Sequence, residues 1–318
     1  MLDVLIYGGG SVGLGIASCL LKSNASVTIV GRDNTVTCLK SRGLSRKGLF
    51  GHHHTEPSGF HCVSSLNDLN RSPFDYILIC TKSGDSYPAA KDIFEHRPLW
   101  NESTHIVLFQ NGWGNAEIFA SFFPKDQVFN ARVITGFSRP KLNEVMITVH
   151  ADAIHIGSVF GADPSQTELL CDAIAGGGIP CEVSDDIVKD LWAKMLYNCA
   201  LNPLGAILDV TYGKLAESDS TRMIMDHIIE EIFQILAASG YQTYWDKPGD
   251  FLNVFYSKLI PATAEHRSST LQDIRAKKKT EIEALNGAVI ELARTHQIDV
   301  PYNQSVFAMV KFIETMNR

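Results

Sequence analysis

Apolar residues in the first 110 positions come in short runs, with stretches of helical spacing between them. Val4 to Tyr7 is one such run and ends in Gly8-Gly9-Gly10. Val12, Ile16, Cys19 and Leu20 then recur at the spacing of one helix face. Val27 to Val30 is β-branched and reads as a second strand. Tyr76 to Cys80 and Ile106 to Phe109 read as further buried strands, each bounded by polar or glycine-containing turns. Runs that are apolar on both faces and separated by helices predict a parallel sheet covered on both sides.

From about Val128 to Ile156 the pattern changes. Val145 to Val149 and Ala153 to Ile156 flank Asp152, which predicts an antiparallel meander finishing the sheet. Gly176-Gly177-Gly178 and Pro180 punctuate the chain, and beyond Asp185 nearly every long segment has helical periodicity: 186–209, 217–239, 278–296 and 303–316. The expected plan is an α/β domain with a mostly parallel sheet over residues 1–184 and an all-α domain over 185–318. At about 150 residues per domain, 318 residues agree with two.

Composition narrows the function. Lys plus Arg number 28 against 35 Asp plus Glu, a net charge of -7, which argues against a nucleic-acid partner needing a basic face. No apolar run approaches the roughly 18 residues that cross a bilayer, so no membrane association is expected. The chain opens directly into a strand-like segment with no basic leader, and its seven cysteines are scattered and lack a C-x-x-C. A cytoplasmic protein with reduced thiols is expected.

Gly8-Gly9-Gly10-Ser11-Val12-Gly13 satisfies G-x-G-x-x-G directly after the first strand and at the start of the first helix. That context makes it a dinucleotide fingerprint: Gly8 for the tight turn, Gly10 for close approach of a pyrophosphate, Gly13 for helix–strand packing. The N–H groups of Ser11 and Val12 open the helix N-terminus on which a pyrophosphate rests. The N-terminal domain is therefore expected to be of Rossmann type. At the end of the second strand, where NAD sites place a carboxylate, this chain has Gly31-Arg32. Arg32 suits a 2′-phosphate, so NADPH is the expected cofactor; Asp33, next in sequence, is the alternative and would reach the ribose itself. Thr81-Lys82 and Gln110-Asn111-Gly112 follow two further strands at the sheet edge where such folds bind ligands. Lys82 reads equally as a solvated loop lysine, and Asn111 as a turn residue before Gly112.

In the helical half, Lys194, Asn198 and Asn202 stand at i, i+4 and i+8 among apolar neighbours. Such a stripe either satisfies a buried network or lines a ligand cleft. A third stretch runs from Arg267-Ser268-Ser269-Thr270-Leu271-Gln272-Asp273-Ile274 through Lys277-Lys278-Lys279, a solvated charge run, to Thr280-Glu281 at the expected start of a helix. His52-His53-His54 is read as a loop without a metal, because three consecutive side chains cannot converge on one ion. Tyr241 to Phe255 is expected to pack inside the helical domain or at a subunit contact.

With these motifs in view, the sequence resembles the ketopantoate reductase (2-dehydropantoate 2-reductase) family over nearly its whole length. The likeness rests on the glycine turn, Thr81-Lys82, Gln110-Asn111-Gly112, the Lys-x3-Asn-x3-Asn-Pro helix and the Ser-Ser-x-Leu-Gln-Asp-Ile…Thr-Glu-Ile-x-x-Leu-Asn-Gly block. The resemblance implies NADPH-dependent reduction of ketopantoate to pantoate, a step toward pantothenate and coenzyme A. It implies Lys194 as the catalytic lysine, Asn198 and Asn202 as ligands of the substrate hydroxyl and Ser269 as a ligand of its carboxylate. Glu281 would lie near cofactor and substrate, Lys82 and Asn111 would touch the cofactor, and Asn111 would also lie near the substrate.

Two positions depart from the family pattern. Tyr212 stands where characterised members carry a further asparagine, and Thr270 where they carry methionine. Reduction of another small 2-oxo acid is the alternative activity, and a non-catalytic dinucleotide-binding or redox-sensing protein is the rival from another class. In the expected chemistry Lys194 donates a hydrogen bond and then a proton to the alkoxide that forms at C2, while Glu281 holds the ammonium or a substrate hydroxyl. A homodimer is the candidate assembly.

Overall fold

The computed structural model describes residues 1–316, which divide into two compact units. The first comprises Met1–Gln110 and Asn115–Ile187; the second comprises Asn111–Gly114 and Val188–Arg318. The tetrapeptide Asn111–Gly114 thus groups with the helical unit, although it lies inside the range 1–184 expected for the first domain.

Twelve strands form the first unit: β1 (Asp3–Tyr7), β2 (Ser26–Val30), β3 (Leu44–Gly48), β4 (His53–Thr55), β5 (His61–Val63), β6 (Tyr76–Ile79), β7 (His105–Leu108), β8 (Val128–Arg132), β9 (Thr135–Lys141), β10 (Glu144–His150), β11 (Ile154–Gly157) and β12 (Cys181–Val183). The main sheet has the order β12-β11-β8-β7-β6-β1-β2-β5. Its run β5-β2-β1-β6-β7-β8 is parallel throughout. In order of appearance those six strands read 3-2-1-4-5-6, the doubly wound dinucleotide-binding order. The order reverses between β1 and β6, so the ligand crevice of this fold class opens at their carboxyl ends.

The expected meander from 145 to 156 is not formed. β10 pairs with β9 and β3 in a separate sheet of order β4-β3-β10-β9, whereas β11 pairs with β8 and β12 in the main sheet. Each strand satisfies its backbone with a different set of neighbours, because β10 alternates buried and half-exposed positions while Ile154, Ile156 and Gly157 of β11 are all buried. The histidine run is also corrected: His53 and His54 lie on β4, paired with β3, rather than in a loop.

Helix α1 (Ser11–Lys22) packs on strands of the second sheet as well as on β1 and β2. Gly13 through Leu21 are all buried, so α1 is apolar around its circumference, as a helix covered on several sides must be. Helix α2 (Asp33–Arg42) follows β2.

The helical unit is built on the 21-residue helix Ile187–Ile207 and the helices Asp219–Ser239, Asn286–His296 and Pro301–Met316. The last three pack on one another around Ile228, Ile232, Val289, Val306 and Val310, all buried. Glu231, itself buried, accepts the N–H groups of Tyr302 (2.8 Å) and Asn303 (2.9 Å) and so caps the final helix. The helix expected over 278–296 begins only at Asn286, which leaves Thr280 and Glu281 outside it. Thr280 instead gives its N–H and hydroxyl to the Glu314 carboxylate (2.8 and 2.6 Å), and its oxygen accepts from the Ile282 N–H at 3.3 Å. Side chains take the place of helical hydrogen bonds there. Among the described residues no helix is long and apolar enough to cross a membrane.

Candidate active site

In the first unit the glycine turn closes tightly against the end of β6. Gly8 sits at φ +121°, and a Cβ on it would lie 2.8 Å from the Cys80 carbonyl carbon and the Thr81 nitrogen. A Cβ on Gly13 would lie 2.0 Å from the Gly8 carbonyl oxygen and 3.1 Å from Ile6 and Cys80 side-chain atoms. At Gly10 the same test meets nothing within 4 Å. Two glycines are thus required by packing, and the third leaves open space at the N-cap of α1. Gly10 carries no capping side chain, and the first-turn N–H groups of α1, from Ser11, Val12 and Gly13, have no acceptor within the helix. An open cradle at an uncapped helix start fits the pyrophosphate of a dinucleotide.

The ends of β6 and β7 are tied by a polar network. The Gln110 amide donates to the Lys82 carbonyl (3.2 Å) and the Thr81 hydroxyl (3.4 Å), while Ser86 donates to Gln110 (3.2 Å) and Asn115 (2.9 Å). Lys82 itself is exposed. Arg32 is exposed at the N-cap of α2, with Asp33 exposed beside it.

One basic residue here escaped the sequence analysis. Arg139 on β9 donates from Nη1 to the Gly9 carbonyl at 2.7 Å and to the Thr35 hydroxyl at 3.3 Å. It lies 130 residues from the glycine turn, and no local pattern marks it.

In the second unit Lys194, Asn111 and Glu281 form a chain of charge-assisted hydrogen bonds. Lys194 Nζ donates to Asn111 Oδ1 at 2.6 Å, and Asn111 Nδ2 donates to Glu281 Oε2 at 2.9 Å. The amide is oriented at both ends, its oxygen by the ammonium and its nitrogen by the carboxylate. The backbone around Asn111 is fixed as well. Gly112 has φ +94° and packs so closely on Ala284 that a Cβ would lie 2.3 Å from the Ala284 oxygen. Trp113 donates its N–H to that same oxygen at 2.8 Å, and its ring rests 4.8 Å from the rings of Trp192 and Tyr241. Tyr241, in the aromatic stretch of the sequence, therefore serves to seat the segment that carries Asn111.

Further along the same helix face, half-buried Asn198 makes no side-chain hydrogen bond within the described residues. Asn202 is 4% exposed, and its Oδ1 accepts the Tyr212 hydroxyl at 2.5 Å. Burial, with Tyr197 beside it, holds the Tyr212 phenol far above its usual range, so it remains a donor. The Asn202 amide NH2 has no partner among the described residues. Ser269 begins the short helix Ser269–Arg275 behind the N-cap Ser268, which accepts the Leu271 N–H at 3.0 Å. The Ser269 hydroxyl is half-buried and makes no hydrogen bond of its own within the described residues. Polar groups left without protein partners at such positions are suited to a bound ligand.

Known proteins resemble this chain over both units. The model of the family described as ketopantoate reductase PanE/ApbA matches residues 4–160, and the model of its C-terminal domain matches residues 186–314. The 2-dehydropantoate 2-reductase of Aquifex aeolicus (strain VF5) is 35% identical over 320 aligned positions, covering 100% of this chain and 98% of the relative.

The chain belongs to the ketopantoate reductase family. A crystal structure of a PanE/ApbA family ketopantoate reductase from Ralstonia eutropha JMP134 superposes with a TM-score of 0.85 at 26% identity, covering 99% of each chain. D-mandelate dehydrogenase, crystallised with NADH and anilino(oxo)acetate, shares the fold at a TM-score of 0.87 and 20% identity, covering 99% of each chain. Ketopantoate reductases thus share both halves of this architecture, the glycine-turn sheet and the helical unit that carries the lysine.

Proposed function

We propose that this protein is a cytoplasmic, NADPH-dependent 2-dehydropantoate 2-reductase that converts ketopantoate to pantoate. The reading rests most heavily on the Lys194–Asn111–Glu281 chain, which holds an ammonium and a carboxylate at the two ends of one amide. The glycine turn and the open start of α1 would hold the pyrophosphate, Arg32 the adenosine end, and Lys82 and Asn111 further parts of the cofactor. When bound, the reduced nicotinamide supplies a hydride to the C2 carbonyl carbon.

The residues of this chain do the rest. Lys194 Nζ donates a hydrogen bond to the carbonyl oxygen and delivers a proton as negative charge develops there. Asn111, fixed by Glu281, sets the direction of the ammonium, so little reorganisation is needed as the charge appears. Ser269 donates to the substrate carboxylate, and Asn198 and Asn202 bind the distal hydroxyl with neutral groups that add no charge.

The test is NADPH oxidation in the presence of ketopantoate. Lys194→Met is expected to lower kcat by roughly 10²–10⁴-fold, the range for losing a general acid. A variant with near wild-type kcat would remove Lys194 from the chemical step. One observation favours a second reading, reduction of a different 2-oxo acid: the Tyr212 hydroxyl occupies an acceptor of Asn202 that would otherwise face ligands. Measuring kcat/KM over a panel of 2-oxo acids separates the two readings. A higher value for another acid than for ketopantoate would select the second.

A further inference from the structure

Three elements meet at the carboxyl end of β2: the glycine turn, the first turn of α2, and Arg139 from the second sheet. Gly9 and Gly31 pack so closely that a Cβ on Gly9 would lie 3.4 Å from the Gly31 Cα and from the Thr35 side chain. Thr35 belongs to the first turn of α2, where its N–H bonds the Arg32 carbonyl at 2.9 Å. Arg139 Nη1 spans the Gly9 carbonyl and the Thr35 hydroxyl, which places its guanidinium beside the turn that Arg32 caps. Its Nε and Nη2 make no hydrogen bond within the described residues, and neither Arg139 nor Arg32 has a carboxylate partner there. Asp33 is exposed and pairs with neither.

Two guanidinium groups sharing one surface without a carboxylate repel each other. Burial, and then the charge of Arg32, depress the pKa of Arg139 from its ordinary value. Such a pair is an unfavourable arrangement on its own and a favourable one once an anion with several acceptor oxygens joins it. In doubly wound folds the end of the second strand is where the adenosine ribose lies, and a phosphate on its 2′ oxygen is the anion at that point.

We propose that Arg139 and Arg32 together clamp the 2′-phosphate of the cofactor, so that Arg139 on β9 is a determinant of preference for phosphorylated over unphosphorylated dinucleotide. The proposal rests on the NADPH reading above. It adds a residue that the parallel sheet itself does not supply. Arg139 has a double duty: Nη1 steadies the glycine turn through the Gly9 carbonyl, while Nε and Nη2 remain for phosphate oxygens.

Calorimetric titration of the full chain with adenosine 2′,5′-bisphosphate and with adenosine 5′-monophosphate tests this without any hydride chemistry. The wild type is expected to prefer the bisphosphate. Arg139→Met is expected to weaken bisphosphate binding roughly 10–100-fold more than monophosphate binding, the value of one or two charge-assisted hydrogen bonds, while any loss shared by the two ligands reports the bond to the Gly9 carbonyl. Arg139→Lys keeps the charge but not the fork, and is expected to fall between the two.

Equal weakening of both ligands in both variants would show that Arg139 only props the turn, and would overturn the proposal. So would a wild-type preference that survives Arg139→Met and Arg139→Lys but disappears in Arg32→Met; that result leaves the NADPH reading intact. A wild type that binds both ligands alike overturns the proposal and the NADPH reading together.

Discussion

Replacing Tyr212 by Phe removes one oxygen atom and nothing else from the helical unit. The ring stays in place, 3% exposed, in edge contact with Tyr197 and tilted against His266, so no cavity opens. What is lost is the 2.5 Å bond to Asn202 Oδ1, the only hydrogen bond that oxygen makes among the described residues. A buried carbonyl left without a donor costs about 1–3 kcal/mol. At roughly 4 °C per kcal/mol for a unit of this size, Tm should fall by about 4–12 °C. The companion variant carrying both Tyr212→Phe and Asn202→Leu removes both partners, and it should be more stable than the sum of the two single changes by about 1 kcal/mol or more.

Function is read from the same variant. In the wild type the phenol pins the amide so that only its NH2 remains for a ligand; without the phenol, either end of the amide can be presented. The ratio of kcat/KM for ketopantoate to that for 3,3-dimethyl-2-oxobutanoate, the same acid lacking its hydroxyl, should therefore change by about 3–10-fold, the value of one ordinary hydrogen bond. A Tm within about 1 °C of wild type, with additive single and double variants, would refute the reasoning.

Two further outcomes follow from the packing. Gly13→Ala places a methyl 2.0 Å from the Gly8 carbonyl oxygen, which is backbone and cannot swing aside. A loss of about 1–3 kcal/mol in thermal unfolding is expected, with loss of adenosine monophosphate binding, and wild-type values for both would contradict the turn geometry. Glu314 is held below the ordinary glutamate value of 4.5: burial pushes it up, but the hydroxyl and N–H of Thr280, with Lys311, outweigh that effect. A carboxyl depressed in the folded state stabilises it above the unfolded pKa and loses that contribution as pH falls through the folded one. The stability gap between wild type and Glu314→Gln in urea denaturation should then be widest near neutrality and close as pH drops below about 4.5. A gap that is flat or widens toward acid would be inconsistent with a charged Glu314.

The parallel sheet was legible because its strands are buried on both faces and therefore read as apolar runs; β1, β2, β6 and β7 fall where the sequence puts them. The second sheet was not. Leu44–Gly48 and Thr135–Lys141 are rich in polar and cationic residues, so no apolar period announces them, and Leu44–Gly48 joins the sheet through a parallel pairing with Glu144–His150 far along the chain. The delayed start of the helix at Asn286 has the same origin, since the carboxylate that holds Thr280 comes from Glu314, 34 residues on. Within the candidate site, the stripe Lys194, Asn198, Asn202 was visible as helix spacing. The pairing of Lys194 with Asn111 was not, because it depends on a bond across 83 residues. Arg139 left no signal at all; its meaning comes entirely from the carbonyl it touches.

The tetrapeptide Asn111–Gly114 has a consequence for any attempt to take this protein apart. The polypeptide leaves the sheet-bearing unit after Gln110, lends four residues to the helical one, and goes back before leaving for good after Ile187. A gene cut at that last crossing would yield a helical fragment with its lysine and glutamate but without the amide that joins them. Chimaeras made by exchanging carboxy-terminal halves between relatives would carry the same hidden mismatch, with a borrowed asparagine drawn from one parent and its two partners from the other.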